Sequence, residues 1–229
     1  NVYNPCAAEM PATSIVPHVP YSVSNELFGL IDQHSEGKII SIHNQETKEE
    51  NEFFKTGTGR FVEFYKLLGS NIDFFQPSGK SSLQTYLPKL NLPGKILLVH
   101  NTQTSEEDIL FAENLAKENH QQIYWVFCPN ANLYIENRLP QIDLLRKHHC
   151  KIALGTDSLA SNHQLNIVAE IQSMQKYFPH IPQQELLQWA TLNGAQTLGF
   201  SDSIGSFEKG KKPGVLLLNE ELTEVKRIA

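Results

Sequence analysis

Apolar runs recur along this chain at a nearly constant interval, and each ends in a chemically capable side chain: His43, His100, Cys128 and Asp157. Cys128 follows His100 by 28 residues and Asp157 follows Cys128 by 29, while His43 precedes His100 by 57, close to two such intervals. A parallel strand buried on both faces is a continuous aliphatic run, as in Lys38-Ile-Ile-Ser-Ile-His43 and Lys95-Ile-Leu-Leu-Val-His100. Runs of that kind alternating with helical patterns predict successive βα units. The expected fold is therefore α/β, the later part of a (β/α)8 TIM-type barrel, whose strand ends carry the chemistry. The double interval after His43 holds either a strand near residues 71–75 or an insertion. Insertion is favoured, because Gly57-Thr58-Gly59 and Gln76-Pro77-Ser78-Gly79 punctuate two short helical patterns at residues 60–68 and 81–90. Such a long loop at the catalytic end would cover a substrate.

Between the strands, Thr104 or Ser105 is placed to cap a helix that opens on Glu106, Glu107 and Asp108 and carries Ile109, Ala112, Leu115 and Ala116 on one stripe. Further helices are expected over residues 165–177, stopped by Pro179, and 182–198, with Leu186, Leu187, Ala190 and Leu198 facing inward. From Ile204 to Leu218 the texture changes to short strands with glycine turns, so residues 1–199 read as barrel and 200–229 as a small β element outside it.

Bulk properties narrow the function. The chain of 229 residues has a formal charge of -6 and no dense basic run, which argues against a nucleic-acid partner. No apolar stretch approaches the roughly 20 residues that cross a bilayer, and no signal peptide opens the chain, so a cytoplasmic protein without a membrane partner is expected. Cys6, Cys128 and Cys150 lack metal-binding or disulfide spacing and are read as reduced thiols.

Taken singly, each polar strand end has an ordinary explanation. His43 with Glu46 three residues on could be a half-buried imidazole beside a helix-start carboxylate. His100 could bond a neighbouring carbonyl, and Asp157 could close a turn. Three metal-capable side chains phased to one end of parallel strands are better explained by a shared site, with His43, His100 and Asp157 as ligands. His18 lies 25 residues before His43 between two prolines, and is expected to end a preceding strand and face a bound substrate. Trp125 and Trp189 read as core. Most of the other histidines read as surface residues, with His163 the one candidate among them for the mouth of the barrel, more often on the surface than not.

The segments Pro17-His18-Val-Pro-Tyr-Ser22, Ile42-His43-Asn-Gln-Glu46-Thr47, Leu98-Val-His100-Asn101, Cys128-Pro-Asn-Ala-Asn132, Gly155-Thr-Asp157-Ser-Leu-Ala-Ser161-Asn162 and Ala190-Thr-Leu-Asn-Gly194-Ala195 resemble the amidohydrolase superfamily. The resemblance is to its branch of aminohydrolases acting on purine-type rings and the related chlorohydrolases. It implies a distorted barrel with a β-sandwich built from both chain ends. It also implies one divalent metal, zinc with iron also compatible, held by His43, His100 and Asp157. Glu46, His100 and Asp157 are implied as catalytic groups that move protons, and His18, Glu46 and Ser161 as contacts to a small purine-like substrate. Barrels of this kind often pair as homodimers. Lys212-Pro213-Gly214 replaces the family's usual Ala-Asp pair, and the strand before His43 offers no lysine for a carboxylated bridge. The family's His-x-His pair of the first strand is absent from these 229 residues. An upstream portion is expected to supply it, with further residues missing near positions 1–14.

The expected reaction is hydrolytic deamination of a modified adenine nucleoside such as aminodeoxyfutalosine, adenosylhomocysteine or methylthioadenosine by a metal-activated water. The alternatives are hydrolysis of a carbon–halogen bond on a triazine-like ring and a metal-free barrel that binds without catalysis.

Overall fold

The computed structural model describes residues 13–73 and 75–228. Cys6 and the stretch up to residue 12 lie outside them. Four parallel strands form one sheet in the order β1 (Ile39–Asn44), β2 (Lys95–His100), β3 (Gln122–Phe127) and β4 (Ile152–Leu154). In chain order the helices are α1 (Asn25–Gln33), α2 (Lys48–Thr56), α3 (Arg60–Leu67), α4 (Ser82–Tyr86), α5 (Glu106–Glu118), α6 (Pro129–Glu136), α7 (Ile142–Lys147), α8 (Ile167–Tyr177), α9 (Gln183–Ala190) and α10 (Leu192–Thr197). Single 3-10 turns occupy Pro20–Ser22 and Leu87–Lys89. The βα alternation expected from the run spacing is thus present. Among the described residues the sheet is open, with β1 and β4 at its edges, and it does not close into a barrel.

The two faces of the sheet differ, because side chains alternate along each strand. Ile42, Leu98 and Trp125 align across β1, β2 and β3 and are fully buried. They meet a helix layer carrying Phe28 and Ile31 from α1, Leu83 and Tyr86 from α4, Ile109 and Ala112 from α5, and Ile171 and Met174 from α8. The opposite face is thinner, with Val99, Cys128 and Ala131 as its small apolar cluster and Val126 packed against it. The core therefore fixes the sheet from the helical side, and the strand ends project beyond it.

The region between β1 and β2 contains helices and no strand among its described residues, as expected of an insertion. Its anchor is aromatic: Phe53 stacks on Phe75 at 4.0 Å between centroids, and Phe61 lies 4.3 Å from Tyr21. Ser105 caps α5 in a reciprocal capping box with Asp108, which satisfies two of the donors left open at a helix start.

Three expectations need correction. The single helix over residues 182–198 is two helices, because Thr191 leaves the helical region at φ −117, ψ −85, and Leu198 is exposed. His18 ends no strand: Pro17 and Pro20 lack the amide donors that a ladder needs, and its main chain joins β1 through one bond, its carbonyl accepting from the His43 amide at 2.9 Å. In the tail the β structure among the described residues is confined to β5 (Leu216–Leu218) and β6 (Val225–Arg227), an antiparallel pair, while residues 204–215 are irregular, with bends and one turn. No helix among the described residues is long and apolar enough to cross a membrane.

Candidate metal centre

His43 is the penultimate residue of β1 and His100 the last of β2; the parallel register sets His43 opposite Val99 and Asn44 opposite His100, so a regular ladder would send the two imidazoles to opposite faces, and the left-handed backbone of His100 (φ 78°) departs from that ladder. Their rings stand almost perpendicular, 4.5 Å between centroids. Asp157 sits three residues past the end of β4, beyond Gly155, whose amide still bonds to Phe127 and continues the β3–β4 pairing. A β-carbon on Gly155 would stand 3.3 Å from the Cys128 sulfur, so glycine lets this loop run close over β3. The outcome is a compact group in which one ligand atom each from His43, His100 and Asp157 lies within 4.8 Å of the others. His43 Nε2 and Asp157 Oδ1 are 3.9 Å apart.

The other residues named from the sequence arrange themselves around this group. Glu46 places Oε1 3.5 Å from His100 Nε2, long for a hydrogen bond. The His18 ring is exposed and stands 4.7 Å from the His43 ring. Ser161 is buried and donates its hydroxyl to Asp157 Oδ2, so it steadies the carboxylate from the side away from His43. His163 lies apart, lining an open cavity of about 500 Å³ between α6 and α8 with Asn130, Tyr134, Ser173 and Lys176.

The cluster fits a divalent cation. His100 is fully buried, yet neither of its ring nitrogens makes a well-formed hydrogen bond in the protein: the Asn132 amide beside it is too poorly aligned and stays unpaired itself. Buried polar atoms are rarely left so, and an orphaned imidazole beside a second imidazole and a carboxylate needs a cation or a ligand to complete it. Two nitrogen donors and one oxygen donor suit zinc or iron. With the protein groups alone, burial lowers the His100 pKa to about 4, with His43 adding repulsion and Asp157 opposing it. Burial also lowers His43, against the pull of Asp157. Both imidazoles are thus held neutral, the form that binds a metal. Burial, reinforced by Asp157 and Glu136, raises Glu46 to about 7.

The strand ends are bent to bring these groups together. Gln45, His100, Asn101 and Asp157 all adopt left-handed backbone, with φ of 47°, 78°, 61° and 56°. Conformations of this kind cost about 1–3 kcal/mol each and persist where the surroundings over-determine them. Here the surroundings are a polar network whose bonds leave no mark in residue spacing. Asn101 receives a bond from Asn44, itself bound by Tyr86, and anchors to the Leu98 carbonyl. Gln45 is held by Thr104, Asp108 and Asn51. Glu50, 1% exposed, accepts the amides of Gln45 and Glu46. Asn162 and Glu170 fix the loop beyond Asp157 in the same manner. The sequence signal for Glu50 was a second acidic residue in the first turn of α2, which is indistinguishable from a surface glutamate favoured by the helix dipole.

A family model described as Amidohydrolase family matches residues 7–228. The 5-methylthioadenosine/S-adenosylhomocysteine deaminase of Teredinibacter turnerae is 29% identical over 212 residues, covering 89% of this chain and 42% of that protein. The aminodeoxyfutalosine deaminase of Deinococcus radiodurans is 27% identical over 191 residues, covering 80% of this chain and 44% of that protein. Among solved structures, an adenosine deaminase from Xanthomonas campestris with bound zinc superposes with a TM-score of 0.64 at 26% identity, over 89% of this chain and 43% of that one. The chain thus spans less than half the length of these relatives. With the family pattern matched across 7–228, the chain belongs to the amidohydrolase family.

Proposed function

We propose that this chain contributes the later strands and most of the catalytic groups of a metal-dependent hydrolase that removes the exocyclic amine of an adenine-type nucleoside. One observation carries the reading: His43, His100 and Asp157 converge from separate strand ends with Glu46 beside them. The activities for which the relatives are named favour methylthioadenosine, adenosylhomocysteine or aminodeoxyfutalosine as substrate. In this reading residues 1–199 belong to a (β/α)8 barrel and 200–229 to a β-sandwich segment, in a cytoplasmic enzyme that pairs with itself.

His43, His100 and Asp157 would hold the metal, zinc in the first instance. A cation there supplies Lewis acidity, which makes water a usable nucleophile near neutral pH. The remaining work falls to side chains. Glu46, with a pKa of about 7, can carry a proton at neutral pH and deliver it to a ring nitrogen as the ring carbon is attacked. Asp157 can accept the proton that the water gives up and pass it to the departing amine. His18 at the exposed rim is placed to contact the substrate. The carbon–nitrogen bond breaks, oxygen from water takes its place, and ammonia leaves.

The test is ammonia release from the three nucleosides by the zinc-loaded protein, with Glu46→Gln as control. The expected result is deamination of at least one, with kcat reduced by about 100- to 10,000-fold in the variant. Nucleoside binding without ammonia release would select a non-catalytic barrel, and halide release from a chlorotriazine would select the chlorohydrolase.

A further inference from the structure

We propose that Glu50 and Thr102 are positioning residues that clamp the peptide joining Gln45 and Glu46, and so aim the Glu46 carboxylate at the metal-capable cluster. This rests on the acid–base role given to Glu46 above. Glu46 stands on a turn beyond β1, so its side chain points where the main chain sends it. That main chain is held on both sides. Glu50 accepts the Gln45 amide at 3.0 Å through Oε1 and the Glu46 amide at 3.3 Å through Oε2. Thr102, fully buried in the loop after β2, donates its hydroxyl to the Gln45 carbonyl at 3.2 Å and more closely to the Glu46 carbonyl. Glu50 thus takes both amide donors of two consecutive residues and Thr102 reaches both carbonyls, the Gln45 carbonyl being shared with the Gln103 amide at 2.9 Å. The clamp is itself anchored, because Ser82 at the start of α4 donates to Glu50.

The location of Glu50 is costly for a purely structural residue. Its neighbours are hydroxyl and amide donors, and Glu46 adds like charge. Burying a carboxyl among such groups stabilises a fold less than an apolar side chain would. It does fix the direction of two amides across a left-handed residue, which apolar packing cannot. An error of about 1 Å in a reacting group can cost about 100-fold in rate.

The experiment compares Glu50→Gln, Thr102→Val and Thr102→Ser in the full-length, metal-replete protein. Glutamine keeps the shape of Glu50 but turns an amide donor toward one of the two backbone amides. Both Glu50→Gln and Thr102→Val are expected to lower kcat by about 10- to 100-fold with KM within about threefold and metal content unchanged. Thr102→Ser, which keeps the hydroxyl, is expected to restore most of the rate. In parallel, hydrogen exchange at the Gln45 and Glu46 amides is expected to quicken about tenfold or more in Glu50→Gln. Native kcat in folded, metal-replete Glu50→Gln and Thr102→Val would overturn the proposal. If the native protein deaminates no nucleoside, the activity reading fails on its own, and the exchange rates still decide the clamp: faster exchange supports it and unchanged exchange refutes it.

Discussion

Replacing Glu50 by glutamine should change how stability depends on pH. Burial raises the Glu50 pKa from the usual 4.5 to about 7, while its bonds from Ser82 and the two backbone amides pull the other way. A carboxyl whose folded pKa lies above its unfolded value contributes stability that is fully present below about 4.5 and is lost as pH climbs through about 7. At about 1.4 kcal/mol for each pKa unit, the full loss is about 3 kcal/mol. Most of it falls between pH 5 and 8. Glutamine does not ionise, so the variant lacks this component, although its misdirected amide costs about 1–3 kcal/mol at every pH. The stability advantage of the native protein should thus be largest near pH 5 and shrink or reverse by pH 8. Urea denaturation at pH 5, 6, 7 and 8 measures the difference directly. Because Glu46 is present in both proteins, its own titration largely cancels. Stability curves that run parallel across this range would refute the assignment of Glu50 as a buried carboxyl with a raised pKa.

Other substitutions test the packing that supports the site. Gly205 has φ of +94°, and a β-carbon there would meet the Ala195 side chain at 2.6 Å and the Leu192 backbone at 3.2 Å; Gly205→Ala is expected to cost about 2–4 kcal/mol in urea denaturation. Leu98→Ala empties the centre of the helix-facing core, where Leu98 is fully buried between Ile42 and Trp125, and should cost about 2–5 kcal/mol, read by the same assay.

Much of the architecture was legible because strands buried on both faces leave an unbroken apolar record. The runs ending at His43 and His100 became β1 and β2 with boundaries within one residue, and the capped helix after Ser105 formed as its charges and stripe required. Helix α6 was hidden because Pro129, Asn130 and Asn132 are turn formers in isolation, while the helix is held by tertiary contacts: Ala131 packs against Val99 and Cys128, and Glu170 and Ser173 bond to Asn130. The break at Thr191 likewise leaves no periodic trace. His43, His100 and Asp157 were found through their phase, which is a property of spacing. Glu50 and Thr102 could not be found that way. Their roles depend on contacts with Ser82, Gln45 and Glu46 that bring together four segments of the chain, and a buried glutamate looks the same in sequence as an exposed one.

The proposed function requires that His43, His100 and Asp157 hold one divalent metal. Zinc-edge anomalous diffraction from crystals of the protein, together with metal content before and after dialysis against chelator, tests it most directly. A single anomalous peak is expected within bonding distance of all three side chains. Asp157→Asn is expected to lose metal by more than the 10- to 100-fold typical of removing a supporting partner, about the least a direct ligand should cost. Metal bound elsewhere, or held equally well by Asp157→Asn, would contradict it.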